Sequence, residues 1–325
     1  MAKVTMVEAI NMAHAWEMAH DPSVVVLGED VGANGGVFRA TVGLQQRFGA
    51  ARVQDTPLAE GLIAGAAIGL AAQGIKPVAE IQFMGFIYPA IDQIASHMAR
   101  LRNRTRGRLS CPLVLRMPHG GGIHAPEHHS ESLEAVLCHH AGLRVVCPSS
   151  PARAYGLLLA SIRNPDPVIF LEPVRLYRFI RQEIEDDGQA LPIDSCFVLR
   201  EGADLTIATW GAMTVECLKA AEQLAGEGIS CEIIDVASLA PIDFDTILDS
   251  VVKTGRLLIV HEAARTCGLG AEIAATVTEQ ALYDLLAPIR RVTGYDTVMP
   301  LYRLEYDYIP SLARIVDGVR ATLAE

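Results

Sequence analysis

The spacing of apolar and polar positions divides the chain into two series of strands and helices, separated by a polar break. In the first series, Thr5-Met6-Val7-Glu8 has the form of a capping box and opens a helix that ends near His20. Val24 to Leu27 reads as a buried strand, and Val78 to Phe83 as another with Gln82 at its end. Ile91, Ile94, Met98 and Leu101 keep a helical period. A strand at Leu113–Met117, a helix at Ser132–His140, a strand at Leu143–Cys147, a helix at Pro151–Arg163 and a strand at Val168–Leu171 follow. Strands alternating with helices predict a parallel sheet covered on both faces. Between about Arg181 and Gly202 the pattern breaks, and Glu183, Glu185, Asp186, Asp187 and Gly188 read as an exposed connector. A second series then begins, with strands at Leu205–Thr209, Cys231–Val236, Leu257–Val260 and Ile289–Val292. Its helices fall near Val215–Ala225, Phe244–Val252, Ala271–Leu286 and Ser311–Leu323. The expected fold class is α/β. Two α/β domains are predicted, residues 1–185 and a smaller 204–325, joined by 186–203.

The stretch from Asp55 to Gly74 stands apart. Thr56 reads as an N-cap and Pro57 suits the first helical position, where a missing N–H costs nothing. Gly61 to Ala72 carries no charged or strongly polar side chain, which predicts a helix buried on every side. Gly61, Gly65 and Gly69 leave one face bare, and close approach of another backbone is the reason such glycines are tolerated at about 1 kcal/mol each. Glu60 is the ionisable side chain of this helix. It reads either as a first-turn acid favoured by the helix dipole or as a carboxyl in apolar surroundings, able to share or transfer a proton.

Composition narrows the classes. The 325 residues are 50% hydrophobic, with a mean hydropathy of +0.27, and no run is long enough for a membrane span. The excess apolar surface points to subunit contacts. A net charge of −11 excludes a general nucleic-acid surface, although Arg100, Arg102, Arg104, Arg106 and Arg108 form a local basic run. Seven scattered cysteines without a Cys-x-x-Cys pair suit a reducing compartment, and no targeting peptide is read at the start, so a cytoplasmic protein is expected.

The strand ending at Met117 runs into Pro118-His119-Gly120-Gly121-Gly122-Ile123-His124-Ala125-Pro126-Glu127-His128-His129-Ser130-Glu131-Ser132, a region rich in histidine. Three readings stay open: a metal site, which lacks a His-Glu-x-x-His helix; a surface loop; and an active-site loop offering an imidazole, with the triple glycine letting backbone approach a ligand. Nucleophilic serine or cysteine catalysis has no supporting motif. Gly28-Glu29-Asp30-Val31-Gly32 with Gly35-Gly36, and Gly268-Leu269-Gly270, are weak phosphate-binding signals without the full dinucleotide pattern.

Taken together, Asp55-Thr56-Pro57-Leu58-Ala59-Glu60, Glu80-Ile81-Gln82-Phe83, Gly120-Gly121-Gly122 and His129-Ser130-Glu131-Ser132 resemble the β subunits of the thiamine-diphosphate-dependent 2-oxo acid dehydrogenases. The similarity continues through Pro167–Pro173, Leu176-Tyr177-Arg178 and Val260-His261-Glu262-Ala263, and looks closest to the pyruvate dehydrogenase branch. The resemblance implies a pyrimidine-binding domain followed by a transketolase C-terminal-like domain. It implies that Glu60 hydrogen-bonds the aminopyrimidine ring nitrogen of thiamine diphosphate, favouring the imino tautomer. Phe86 would stack on that ring, Leu58 and Gln82 would line its pocket, and His129, with His128 as its neighbour, would act near the reacting carbon during decarboxylation and acetyl transfer to a lipoyl group. Branched-chain 2-oxo acids and acetoin stay open as substrates beside pyruvate, and so does a non-catalytic assembly scaffold.

Two departures from the family pattern are visible. Asn164-Pro165-Asp166 replaces an Asp-x-Asn pair, which weakens the case for a potassium ion near Ser161, Asn164 and Asp166; and Phe86 stands where tyrosine is common. No Gly-Asp-Gly segment occurs to hold the magnesium ion of the cofactor's diphosphate. A separate α subunit is therefore expected to hold Mg2+, in an α2β2 heterotetramer with thiamine diphosphate at each α–β interface. The second domain is expected to pack against its symmetry mate and to dock the dihydrolipoyl acyltransferase core.

Overall fold

The computed structural model describes residues 2–325. The chain begins with β1 (Ala2–Val4), α1 (Met6–His20), β2 (Val24–Gly28), α2 (Leu44–Phe48), β3 (Val53–Asp55), α3 (Glu60–Ala72) and β4 (Lys76–Glu80). Short 3-10 turns at Met84–Phe86 and Tyr88–Ala90 follow. Then come α4 (Leu101–Arg104), β5 (Val114–His119), α5 (Glu134–Cys138), β6 (Arg144–Val146), α6 (Pro151–Arg163), β7 (Val168–Pro173) and β8 (Gln182–Ile184). The second half runs β9 (Phe197–Arg200), β10 (Leu205–Thr209), α7 (Met213–Ala225), β11 (Cys231–Asp235), β12 (Ser238–Ala240) and α8 (Phe244–Thr254). It ends with β13 (Leu257–Ala264), α9 (Leu269–Ala281), β14 (Arg290–Gly294), α10 (Glu305–Tyr308) and α11 (Leu312–Leu323).

Local chemistry sets the helix starts. The capping box ahead of α1 forms: Thr5 N–H donates to Glu8 Oε2 at 2.7 Å and Glu8 N–H to Thr5 Oγ1 at 3.4 Å. Ser150, Asp243 and Ser311 cap α6, α8 and α11 by a single cap bond each, the side chain accepting the backbone N–H three residues on. The segment expected as an α-helix through Ile91 and Met98 instead contains a π-helical turn at Gln93–Met98, and its buried residues are Ile94 and Met98. Such insertions are frequent at functional sites.

The first sheet has the order β12-β6-β7-β5-β4-β2-β3, parallel throughout except for β12. That edge strand comes from the second half of the chain, and Cys147 N–H donates to Ala237 O at 2.8 Å beside it. The second sheet, β14-β13-β10-β11-β9, is parallel except for β9. The polar break is more ordered than its sequence suggests: β8 pairs with β1, β9 edges the second sheet, and Tyr155 Oη donates to Asp186 at 2.8 Å. Two apolar layers, one on each side of the sheets, run through both halves.

In a parallel sheet, ligand sites form beyond the carboxyl ends of the strands. Four neighbouring strands, β5, β4, β2 and β3, deliver their following loops to one such edge. Beneath it lies a buried ion pair. Arg116 on β5 reaches Glu172 on β7 through Nε at 2.7 Å and Nη2 at 2.9 Å, and its Nη1 meets Glu80 on β4. Tyr177 also donates to Glu172. Burying these charges is tolerable because each carboxylate has donors to hold it.

Candidate active site

The loop after β3 is built by Asp55. Its carboxylate accepts from Gly32 N–H at 2.6 Å and Ala33 N–H at 3.3 Å, and Thr56 N–H donates to Gly28 O at 2.9 Å. These bonds hold Thr56, Pro57 and Leu58 outside the helix. α3 therefore starts at Glu60 with Ala59 as its cap residue, and Thr56 does not serve as the N-cap that the sequence suggested; its Oγ1 is buried without a partner.

Nor is α3 buried on every side. Ile63, Ala64, Ala67, Ile68 and Ala71 face the core, but Leu62 is 51% exposed, Ala66 and Gly69 are open, and Leu58 just before the helix is 72% exposed. A helix without polar residues is compatible with an open apolar face, and such a face suits a protein contact. The glycines divide accordingly. A Cβ on Gly61 would lie 3.0 Å from Pro89 O, and one on Gly65 would lie 3.3 Å from Gln93 Oε1. One on Gly69 would meet nothing within 4 Å. Close packing explains the first two glycines.

Glu60 is half-buried at the start of α3. Burial pushes the neighbouring Glu29 carboxyl up, and the charges of Asp30 and Glu60 add to the effect. Gln82 Nε2 lies 3.5 Å from Glu29 O. The loops of β2, β3 and β4 thus bring Glu29, Glu60 and Gln82 to one place.

His129 enters from the β5 loop. Its ring stands edge-on to Phe83 at 4.5 Å and to Phe86 at 5.1 Å, and Phe83 in turn touches Phe86 and Phe38. Its Nδ1 is buried without a hydrogen-bond partner, an unmet capacity beside an aromatic wall. Gly85 makes this arrangement fit, because a Cβ there would lie 2.0 Å from His128 O. Leu133 N–H and Tyr88 Oη fasten the loop further, to Met84 Sδ at 3.1 Å and Glu131 Oε2 at 3.4 Å. His128 is exposed, and its backbone rather than its ring makes the contact.

The triple glycine reaches the second half of the chain. Gly121 N–H donates to Glu262 Oε1 at 2.5 Å, Gly122 N–H to Glu305 Oε1 at 2.7 Å and His124 N–H to Glu305 Oε2 at 3.1 Å. Side chains there would have to displace their neighbours: a Cβ on Gly121 would lie 2.7 Å from Met299 Cε, and one on Gly122 would lie 2.4 Å from Arg175 Cδ. At the loop base, His119 Nε2 and Glu134 Oε2 are 3.7 Å apart, and Trp210, stacked on His261, donates to Glu134 Oε1 at 3.2 Å. Burial holds His119 down to about 4 and pushes Glu134 up to about 7, so near neutral pH the imidazole is uncharged and the carboxyl is close to half-protonated.

Among the described residues no group of three histidine, cysteine, aspartate or glutamate side chains is placed to hold a metal ion, so the metal reading of the histidine loop finds no geometry. The side chains considered for potassium are engaged with protein. Ser161 Oγ donates to Leu157 O at 2.7 Å, Asn164 Oδ1 accepts from Asp166 N–H at 2.9 Å, and Asp166 pairs with Arg102 at 2.6 Å.

The structure thus brings Glu60, Gln82, Phe86 and His129 to one edge, with Leu58 at its rim. Sequence reasoning missed Phe83, Glu29 and Gly85. A glycine set between Phe83 and Phe86 was the available signal for Gly85.

The chain is similar to known proteins over its whole length. Residues 2–180 match the family described as "Transketolase, pyrimidine binding domain", and residues 195–315 match "Transketolase, C-terminal domain". The chain is 49% identical to the pyruvate dehydrogenase E1 component subunit beta of Acholeplasma laidlawii, covering 98% of each chain. It is 46% identical to the protein of the same name from Bacillus subtilis strain 168, covering 99% of each. A solved chain described as "Split gene transketolase, inactive beta4 tetramer" superposes with a TM-score of 0.82 over 99% of each chain, at 24% identity, and supports the fold alone. This chain belongs to the family of pyruvate dehydrogenase E1 component β subunits, built from a transketolase-type pyrimidine-binding domain and a transketolase C-terminal domain.

Proposed function

We propose that this chain is the β subunit of a thiamine-diphosphate-dependent pyruvate dehydrogenase, and that it acts in an α2β2 heterotetramer on pyruvate and a lipoyl domain. The observation that carries the reading is the seat of His129 against Phe83 and Phe86, its Nδ1 unpartnered, at the same sheet edge where α3 starts at Glu60. Relatives sharing 46–49% identity over the full length support pyruvate as the substrate.

The residues present suit the aminopyrimidine half of the cofactor. Phe86 offers a half-buried ring, Leu58 an apolar rim, Gln82 an amide, and Glu60 a carboxyl beside a second acid. When bound, thiamine diphosphate supplies a nucleophilic carbon and an electron sink for decarboxylation. Glu60 would hydrogen-bond the aminopyrimidine ring nitrogen and, through that contact, would govern the basicity of the ring's amino group. His129 presents its imidazole to the reacting centre, where it donates a proton or a hydrogen bond to oxygen as charge develops. The aromatic wall keeps water from the side of the imidazole that faces Phe83. The diphosphate and its Mg2+ fall to the α subunit, because this chain offers no Gly-Asp-Gly segment. The open face of α3, with Leu62, Ala66 and Gly69, belongs to the subunit contacts, and the C-terminal domain is the part that docks the acyltransferase core.

Titration calorimetry on the single chain tests the shared site. Weak or absent thiamine diphosphate binding is expected, restored with decarboxylation when the α subunit is added. Tight, magnesium-dependent binding by this chain alone overturns it. In the assembled enzyme Glu60→Gln removes the ionisable proton, and retention of wild-type decarboxylation would refute its role. Turnover of pyruvate against 2-oxoisovalerate decides the substrate.

A further inference from the structure

The first half of the histidine loop is held by the other domain. Gly120 N–H finds a partner inside the loop, Glu131 O at 2.9 Å, and at the far end His129 and Ser130 N–H groups donate to Pro126 O and Glu127 O at 2.9 Å each. Between these ends, Gly121, Gly122 and His124 donate to side chains 141, 183 and 181 residues later in the chain. Such a run of backbone N–H groups forms a nest for an anion. Here the anion is the Glu305 carboxylate, whose side chain is 1% exposed and which takes Gly122 N–H on one oxygen and His124 N–H on the other.

The nest carries strain. Gly120 and Gly122 have φ of 80° and 88°, and His124, a residue with a Cβ, has φ of 60°. A non-glycine residue in that region persists when its surroundings hold it there. His124 is held three times: by its N–H on Glu305, by its Nε2 at 3.6 Å from Glu305 Oε2, and by edge contacts with Tyr302 and Tyr306 at 5.0 and 5.5 Å. On the opposite side the loop abuts Gly85.

We propose that Glu305 is a positioning residue: its carboxylate, reaching from the C-terminal domain into the Gly122–His124 nest, sets the path of the loop and thereby the place of the His129 imidazole. The inference rests on the role given to His129 above. It assigns the second domain a part in the chemistry beyond assembly.

The test uses the enzyme reconstituted with its α subunit, thiamine diphosphate and Mg2+, with pyruvate and a lipoyl domain as substrates. Glu305→Ala lowers kcat about tenfold or more, since loss of registry by about 1 Å is enough for such an effect, while cofactor affinity and tetramer assembly stay as in the wild type. KM for pyruvate changes less than kcat. Glu305→Gln, which keeps one acceptor oxygen, falls between the two. The double variant Glu305→Ala/His129→Ala is no slower than His129→Ala, because the carboxylate acts through that imidazole. Wild-type kcat in Glu305→Ala, or a loss that multiplies with that of His129→Ala, overturns the proposal. If Glu305→Ala does not assemble, wild-type kcat in Glu305→Gln overturns it equally. Hydrogen exchange of residues 120–125 separates this inference from the functional reading. Faster exchange in Glu305→Ala supports the clamp even if His129→Ala proves active, which would refute the role of His129 instead. Unchanged exchange refutes the clamp whatever the turnover.

Discussion

Gly85→Ala tests the packing that places His129. The added Cβ would stand 2.0 Å from His128 O, 2.8 Å from His128 C and 3.0 Å from Glu131 Cγ. Non-bonded heavy atoms settle at about 3.5 Å, so about 1.5 Å of separation must be found between the turn and the loop. The atom in the way is a backbone carbonyl, which no rotamer change can move aside. The loop cannot simply lift, because Glu262 and Glu305 hold its other limb. The strain costs about 1–3 kcal/mol, the usual range for overpacking. The displaced imidazole loses about 100-fold in the chemical step, the scale of a misplacement of about 1 Å. Single-turnover decarboxylation by the assembled enzyme, with thermal unfolding alongside, reads both quantities. A rate within twofold of wild type at an unchanged melting temperature would refute the contact and the argument built on it.

His129→Ala should retain cofactor binding, measured by calorimetry on the assembled enzyme, and slow decarboxylation or lipoyl acetylation by about 100-fold or more. Unchanged single-turnover kinetics would remove His129 from the mechanism. Arg116→Leu strands Glu80 and Glu172 in the core and should destabilise the chain by about 3–5 kcal/mol in urea unfolding; a loss below about 1 kcal/mol would mean that the two carboxylates find other partners. Burial raises the folded-state pKa of Glu134 from 4.5 to about 7, so its stabilising contribution is complete below about 4.5 and disappears as pH rises towards 7. Glu134→Gln should therefore gain on the wild type between those pH values, by at most about 1.4 kcal/mol per pH unit, and run parallel above them; a difference that is flat with pH would show that the carboxyl is not desolvated. Gly69→Ala, with open space around the new Cβ, should raise the stability of the single chain by about 0.5–1 kcal/mol and weaken its association with partner subunits, and intact assembly would show that this helix face is not an interface.

The linear pattern determined a good deal. Alternating apolar runs and helical periods specified two α/β units, because burial periodicity is a local property of the chain. The Thr5–Glu8 capping box and the helix start at Pro151 were legible for the same reason: the signals lie within three residues of each other along the chain. Glu60 and His129 stood out by residue type and setting, and the family resemblance gave them roles. Tertiary structure decided what depends on partners far along the chain. Thr56 does not cap α3, because its N–H and the Asp55 carboxylate are taken by the β2 loop. α3 has an open side, because an apolar run records what a helix can bury and not which neighbours one chain supplies. β12 crosses over to complete the first sheet, a pairing between segments almost a hundred residues apart. The triple glycine, read as room for a ligand, is filled by Glu262, Glu305, Met299 and Arg175. Those contacts join residues 141 to 183 positions apart, a separation at which a sequence period carries no information and only the packing of the two sheets fixes the distance.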